Sequence, residues 1–423
     1  MSARAGLPSP PLLPGTAAED VEHRHATWLE LFFDLVFVVG VAELSHELVR
    51  DTSATGFLHF VILFVPVWWA WVGFTFYATR FESDDSLYRL LWLIAMLASA
   101  AMAVNVHDAF DGAAAAFAVS YAAVRTVLVV LYLIGRRREP AARDLSTYLA
   151  LAFSIGAGFW YASAFVGEPL RFWLWGAGIA VEGLAPLLGN RILLRTTVHP
   201  WHLPERFGLF MIIVLGESIA GVVAGTADTD WHVNSAVVAS AAFVAAASLW
   251  WSYFDFVAWS GRYGLLSSER RGVLARDIYS YGHFPVVVGL TLFGAGTELA
   301  IIETPHGSLT SGTRWALCGG VALYLISISL IYTGMTRSIR VAFWWPRATA
   351  ALLAIGLVAV GEHLKPVVLV VALAAGLVAH LVLEIITAQE LEQPVDGPFG
   401  GVRVPAAFAA AMAAGRSEPS LER

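Results

Sequence analysis

The sequence predicts an all-α polytopic membrane protein of about twelve transmembrane helices, built as two parallel six-helix repeats. Three observations lead there. Of 423 residues, 58% are hydrophobic and only 14% are charged, where an ordinary soluble domain carries about 25% charged residues. The apolar residues come in consecutive runs, each long enough at ~1.5 Å per residue to cross a hydrocarbon core of about 30 Å. The basic residues, almost all Arg, gather in every second break between runs, as they do in cytoplasmic loops.

The runs cover residues 28–48, 57–79, 88–106, 112–135, 145–166 and 171–190, then 207–226, 233–256, 277–300, 314–335, 345–361 and 366–387. They are too long for barrel strands, and in lipid only helices or closed barrels satisfy the backbone. With the N-terminus inside, 21 of the 26 Lys and Arg fall on the cytoplasmic side and 4 outside, leaving Arg125 within a run. One missed or added helix would scramble that split. Both termini are therefore expected to be cytoplasmic. Residues 1–27 are Pro-rich and lack an apolar core, so they read as a disordered tail and not as a cleavable signal peptide. Thr16 to Glu30 is expected to begin as an interfacial helix. Residues 28–190 form the first expected repeat, 191–206 a cytoplasmic linker, 207–388 the second repeat and 389–423 a cytoplasmic tail, in which 405–416 suits a transient surface helix.

The two halves open alike. Glu30-Leu-Phe and Glu205-Arg-Phe start them, and each run continues to a mid-helix carboxylate, Glu43 or Glu217. The next run of each half carries a Trp pair, Trp68-Trp69 or Trp250-Trp251, suited to bundle packing or to the interface. Six helices is an even number, so the two units would share one orientation.

The most informative run is Trp28 to Leu48, because it carries Glu30, Asp34, Glu43, His46 and Glu47. Each carboxylate near the centre of a span costs roughly 2.5–3.5 kcal/mol on insertion scales. A helix that only anchored the chain would not need them. Glu30 and Asp34 lie one turn apart on one face, and Glu43 and Glu47 repeat that spacing.

Residues 27–44, TWLELFFDLVFVVGVAEL, and residues 204–222, PERFGLFMIIVLGESIAGV, together resemble the two signatures of the bacterial low-temperature-requirement A family of membrane proteins. The resemblance covers about Thr27 to Thr387. It implies a multi-pass protein of the bacterial inner membrane, and brings no reaction, substrate or catalytic residue with it. Trp28–Val41 also resembles the first-helix pattern of endolysosomal and bacterial potassium channels built from six-helix repeats, through Leu29-Glu30, Phe32, Asp34, Val36 and Phe37. Trp28 and Phe33 replace that family's Arg and Ser, and the second repeat has Leu209 where the Asp belongs.

Four polar residues fall near mid-membrane by counting along their runs: Glu43, Arg125, Glu182 and Glu217. An Arg in low dielectric needs a carboxylate partner. Three carboxylates for one Arg leave a surplus available to bind a proton or a cation. In Gly216-Glu217-Ser218 the glycine is expected to let helices approach and Ser218 to hydrogen-bond across them. A second group lies toward the cytoplasmic ends: Asp34, Asp255, Asp277, His283 and Glu384, with His380 nearer the middle. Pro285 is expected to kink the helix that follows His283, and histidine suits proton relay. His380 and Glu384 have a metal-ligand spacing but no third ligand in local sequence, and His199 and His202 on the linker fare no better.

Other chemistries are not signalled. A lone Cys318 excludes an intramolecular disulfide. There is no Gly-rich phosphate loop, no HExxH pair and no nucleophile elbow. No cofactor, metal or nucleic-acid partner is expected. The expected partners are the lipid bilayer, a small solute or cation, and a second copy of the chain. The transport and proton-coupling candidates are Glu30, Asp34, Glu43, Arg125, Glu182, Glu217, Ser218 and His283. They favour a proton-coupled secondary transporter. The alternatives are a cation channel or proton leak, and a membrane sensor or enzyme; an enzyme is disfavoured because the His and Asp residues are scattered.

Overall fold

The computed structural model describes residues 25–81, 83, 85–194, 198–227, 233–257, 265, 268, 270–336, 341–394 and 403–405. Every apolar run of the sequence is helical. The first half contains α1 (Trp28–Arg50), α2 (Ala54–Arg80), α3 (Ser86–Val104), α4 (Ala114–Arg138), α5 (Arg143–Ser163) and α6 (Leu170–Leu188). The second contains α7 (His202–Ala227), α8 (Val233–Ser252), α9 (His283–Glu303), α10 (Gly320–Thr336), α11 (Val341–Val360) and α12 (Pro366–Leu391). Single π-helical turns adjoin three of them: Tyr253–Val257 after α8, Arg276–Gly282 before α9 and Trp315–Gly319 before α10.

Ten helices among the described residues are long and apolar enough to cross a membrane. Helices α1 and α6 have comparable lengths, 23 and 19 residues, but stand outside that set. Helix α1 carries four carboxylates and Arg50, and α6 carries Arg171 and Glu182. The outer surface is apolar, as on α3, where Leu90, Leu93, Ile94 and Leu97 are exposed. The interior holds polar groups. An apolar outer surface around an apolar core, with the buried charges kept between helices, is the distribution lipid requires.

Three sequence expectations change. Thr27 is extended and caps α1: its amide donates to Glu30 Oε2 (2.8 Å) and its hydroxyl accepts from the Glu30 amide (3.3 Å). This reciprocal capping box starts the helix at Trp28, so no helix runs on through Thr16 to Glu30; residues 16–24 lie outside the described residues. Helix α7 begins at His202, not at 207, so the end of the expected linker belongs to a helix. After α12, β1 (Glu392–Pro394) pairs antiparallel with β2 (Arg403–Pro405), a short hairpin in a chain read as all-α. The surface helix expected beyond Pro405 lies outside the described residues.

The two halves are packed in similar ways. In the first, α1 packs on α2 and α3, and α3, α4, α5 and α6 follow in sequence. In the second, α7 packs on α8 and α9, and α9, α10, α11 and α12 follow, with α8 also on α12. The halves meet where α1 and α2 face α7 and α9. Trp68 and Trp71 of α2 enter an aromatic cluster with Phe207 and Phe210 of α7 and Phe284 of α9. Trp68 Nε1 also donates to the Ser280 carbonyl at 2.9 Å. Trp250 and Trp251 instead sit 46% and 45% exposed, so the two Trp pairs are not equivalent.

Small residues set the closest helix approach. On α7 it is Gly221 and Gly225, not Gly216, that lie against α9. A methyl at Gly225 would stand 2.8 Å from the Glu298 carbonyl oxygen, whereas one at Gly216 would meet nothing within 4 Å. Gly225→Ala should therefore lower the thermal stability of the detergent-purified protein, overpacking costing roughly 1–3 kcal/mol. Gly216→Ala should not lower it. Equal melting temperatures for the two variants would contradict this packing.

Asp85 caps α3 by accepting from the Tyr88 amide at 2.8 Å, and it meets Arg138 at the end of α4. Partial burial raises its carboxyl, but the contacts with Tyr88, Arg138 and Ser83 outweigh that and hold it below the usual range. A carboxyl lowered in the folded state stabilises fully above its unfolded pKa and less as pH falls through its folded one. The melting-temperature gap between wild type and Asp85→Asn should be constant near neutral pH and close on acidification below about pH 4. A gap that widens there would reverse the assignment.

Candidate functional site

Where α1 starts, four buried ionisable side chains from the two halves converge. Arg206 of α7 donates through Nη2 to Asp34 Oδ1 of α1 at 2.5 Å, and its Nη1 stands 3.6 Å from Glu30 Oε2. Trp71 of α2 donates to the same Asp34 oxygen at 2.7 Å. His202 Nε2 lies 3.1 Å from Glu30 Oε2, and its Nδ1 lies 3.1 Å from Thr79 Oγ1. None of these charged groups is more than 1% exposed. Nε2 faces a carboxylate and donates its proton to it. Thr79 Oγ1 also lies 2.8 Å from the Thr75 carbonyl, and Arg206, with His202 when it is protonated, balances the two carboxylates. Asp34 Oδ2 and Arg206 Nε make no hydrogen bond.

Each half also contains a buried arginine–carboxylate pair of its own. In the first, Arg125 Nε of α4 meets Glu182 Oε2 of α6 at 2.9 Å, and the Tyr121 hydroxyl donates to the same oxygen at 2.5 Å. Arg125 also donates to the Trp69 carbonyl at 3.2 Å and lies 4.2 Å over the Phe153 ring. Two glycines make the room: a methyl at Gly73 would come within 2.7 Å of Arg125 Nη1, and one at Gly156 within 2.5 Å of Glu182. In the second half, Arg347 Nε of α11 meets Glu384 Oε1 of α12 at 2.5 Å, and Ser252 donates to Glu384 Oε2 at 2.9 Å. His380 Nε2 lies 3.5 Å from Glu384. Glu384 is thus an arginine partner, and no group able to hold a metal occurs among the described residues.

These contacts leave Glu43 and Glu217 apart. Both are half-buried, on α1 and α7, and neither has an ion pair or hydrogen bond among the described residues. Glu43 and His46 are the ionisable neighbours of Glu217, toward the end where α1 finishes. Ser218, next to Glu217, points away from that group. Its Oγ lies 3.5 Å from the Leu290 carbonyl, against Gly294 of α9.

Both ring nitrogens of His283 have partners. Its Nδ1 donates to the Ile278 carbonyl (2.9 Å), its Nε2 accepts from the Tyr253 hydroxyl (3.0 Å), and its ring stacks on Tyr279 at 5.0 Å. The π turn before α9 supplies that carbonyl, and Pro285 lies inside the continuous helical stretch Arg271–His306, where its missing N–H frees a carbonyl of the preceding turn. The other members of the group expected beside Asp34 are elsewhere: Asp255 accepts from Trp251, and Asp277 pairs with Arg276.

Sequence reasoning missed His202, Arg206 and Arg347 as site residues. It placed all three arginines Arg206, Arg276 and Arg347 among loop charges, yet they are 0%, 6% and 1% exposed. Counting charges by loop cannot tell a solvated arginine from one folded back between helices. One available signal was the Thr27-x-x-Glu30 spacing, a capping box that ties Glu30 to the helix start. The other was His202 and Arg206 at i,i+4, facing one way once they belong to a helix.

A family model described as bacterial low temperature requirement A protein matches residues 25–382. An uncharacterized protein of Rhizobium meliloti (strain 1021) is 28% identical over 316 residues, which are 73% of this chain and 77% of that protein. No solved structure matches.

Removing Arg206 would leave two buried carboxylates short of a cation, and breaking such a pair costs about 3–5 kcal/mol. Arg206→Leu should sharply reduce the yield of monodisperse protein on size exclusion. Adding Glu30→Gln and Asp34→Asn should restore most of it. If the triple variant behaves like Arg206→Leu, Arg206 acts through packing and the charge balance is wrong.

Proposed function

The chain belongs to the bacterial low temperature requirement A family, and from that premise we propose that it is a proton-coupled secondary transporter of a small solute. The observation that carries the reading is the contrast among its carboxylates. Among the described residues the four buried acidic side chains, Glu30, Asp34, Glu182 and Glu384, are each within 4 Å of an arginine. Glu43 and Glu217 lie well inside helices of opposite halves and have none. An intramembrane carboxylate without a permanent counter-charge is suited to take and release a proton.

The wider architecture is consistent with this role. We read α1–α6 and α7–α12 as two parallel six-helix repeats and all twelve helices as membrane spans, with both termini on the cytoplasmic side of the inner membrane. The similar packing order of the halves supports the repeat. The compositional shortfall of α1 and α6 is explained by the charged groups they bury at helix contacts. Carriers built from repeats place coupling groups where the repeats meet, and α1 and α7 meet there. In this arrangement the Glu30–Asp34–His202–Arg206 network closes the α1–α7 contact at the cytoplasmic end, and Glu43, His46 and Glu217 face the other half of the membrane. Arg125–Glu182 and Arg347–Glu384 hold each repeat together as a rigid body.

The test is proton flux into sealed proteoliposomes with an internal pH dye, for wild type and Glu217→Gln, across a panel of small solutes. Solute-dependent flux in wild type that falls at least tenfold in Glu217→Gln is the expected result. Flux that ignores solute would favour the channel or leak reading. Full solute-dependent flux in Glu217→Gln would remove Glu217 from the coupling.

A further inference from the structure

Beside the Arg125–Glu182 pair, between α2, α4, α5 and the π turn before α9, lies a cavity of about 490 Å³, its open mouth included. Its walls are mostly apolar and aromatic, with Trp69, Phe76, Tyr132 and Phe153 among them. Among the described residues, the charged side chains that line it are all cations: Arg80, Arg125 and Arg276.

Among the described residues the charge count is unbalanced. Arg125 is neutralised by Glu182 and Arg276 by Asp277. Arg80 has no carboxylate partner among the described residues. Its contacts are the Phe76 carbonyl at 3.2 Å, the face of the Phe76 ring at 5.1 Å and the Tyr132 hydroxyl. Arg80 Nε is buried and makes no hydrogen bond, and neither does Arg125 Nη2. A guanidinium without a counter-charge in a low-dielectric wall is costly unless an anion completes it. Planar N–H groups favour carboxylate and phosphate oxygens, which can accept two hydrogen bonds at once. We propose that this cavity binds an anion with an apolar body: a carboxylate or phosphate head held by Arg80 and Arg125, with an aromatic or short aliphatic group against Trp69, Phe76 and Phe153.

The site stands apart from the proton-coupling group, and its occupancy does not depend on transport. The ligand chemistry has two sources, a free organic acid or the headgroup of an anionic lipid.

Equilibrium binding to the full-length protein in a neutral detergent tests it, with benzoate and its uncharged isostere benzamide as probes. Benzoate should raise the melting temperature and benzamide should not. 3-Bromobenzoate should quench part of the tryptophan fluorescence, and Trp69→Phe should lose that part. Arg80→Gln should weaken benzoate binding at least tenfold, and Arg80→Lys less. If phosphatidylglycerol nanodiscs abolish benzoate binding that phosphatidylcholine nanodiscs allow, the lipid headgroup is the natural occupant; if both allow it, a free acid is. Should Arg80→Gln fail to fold, the ratio of benzoate to benzamide affinity in wild type decides. Equal affinities, unchanged binding in a folded Arg80→Gln, or no benzoate binding to the folded wild type would each overturn the proposal.

Discussion

A guanidinium buried away from water must find a carboxylate, and much of the interior follows from that requirement. Arg125, Arg206 and Arg347 are each at most 1% exposed, and each has its acid on a different helix. In lipid, apolar surface gives helices little reason to prefer one another, since the tails are as apolar as the side chains. Packing and polar contacts must specify the arrangement. An arginine–carboxylate pair is a selective device for this, because a misdocked helix leaves a charge uncompensated at a cost of several kcal/mol. The glycines follow from the same requirement. Gly73 and Gly156 are small because Arg125 and Glu182 occupy the space their side chains would fill.

The pairs differ in what they join. Arg125–Glu182 and Arg347–Glu384 each lie within one half. Arg206 joins α7 of the second half to α1 of the first, and Trp71 and Thr79 of α2 brace the junction from a third helix. The capping carboxylate of α1 is part of it, since Glu30 Oε2 both accepts from the Thr27 amide and faces His202. The start of α1 is therefore fixed by the second half of the chain as well as by its own local sequence. An aromatic cluster of Trp68, Trp71, Phe207, Phe210 and Phe284 adjoins these charges and excludes water from them.

The helical runs were legible because span length and apolarity are local properties. The run 366–387 needs no tertiary information to be seen as α12 (Pro366–Leu391). The site was legible only in part. Glu30 and Asp34 stood out because a carboxylate in an apolar run is conspicuous, and Arg125 for the same reason. Arg206 and Arg347 did not, because each sits at the edge of a run where an arginine looks like a loop charge. Their burial is decided by how far the helix extends and which face it turns inward. Gly216 was misread on similar grounds. It neighbours Glu217 in sequence, but Gly221 and Gly225, one and two turns on, are the residues on the packed face. His283 looked like a proton relay and is held by a carbonyl that only the preceding π turn brings into reach.

The junction also bounds what a transport cycle would require. To part α1 from α7 where they are now joined, Arg206 must leave Asp34 and Glu30, and His202 must leave Glu30. Uncompensated, that is a cost of about 3–5 kcal/mol or more. A ligand shifts a two-state equilibrium only by its difference in affinity for the two states, and roughly 5.5 kcal/mol is needed to carry one from 1:99 to 99:1. Solute binding alone would have to be strongly state-selective to supply this. Protonating the carboxylates removes the charge that makes Arg206 bind, and water entering the opened junction solvates what remains. In the proposed cycle the proton site and the charged junction would lie on the same two helices, α1 and α7. Coupling through the α1–α7 contact would leave the arginine pair within each half undisturbed.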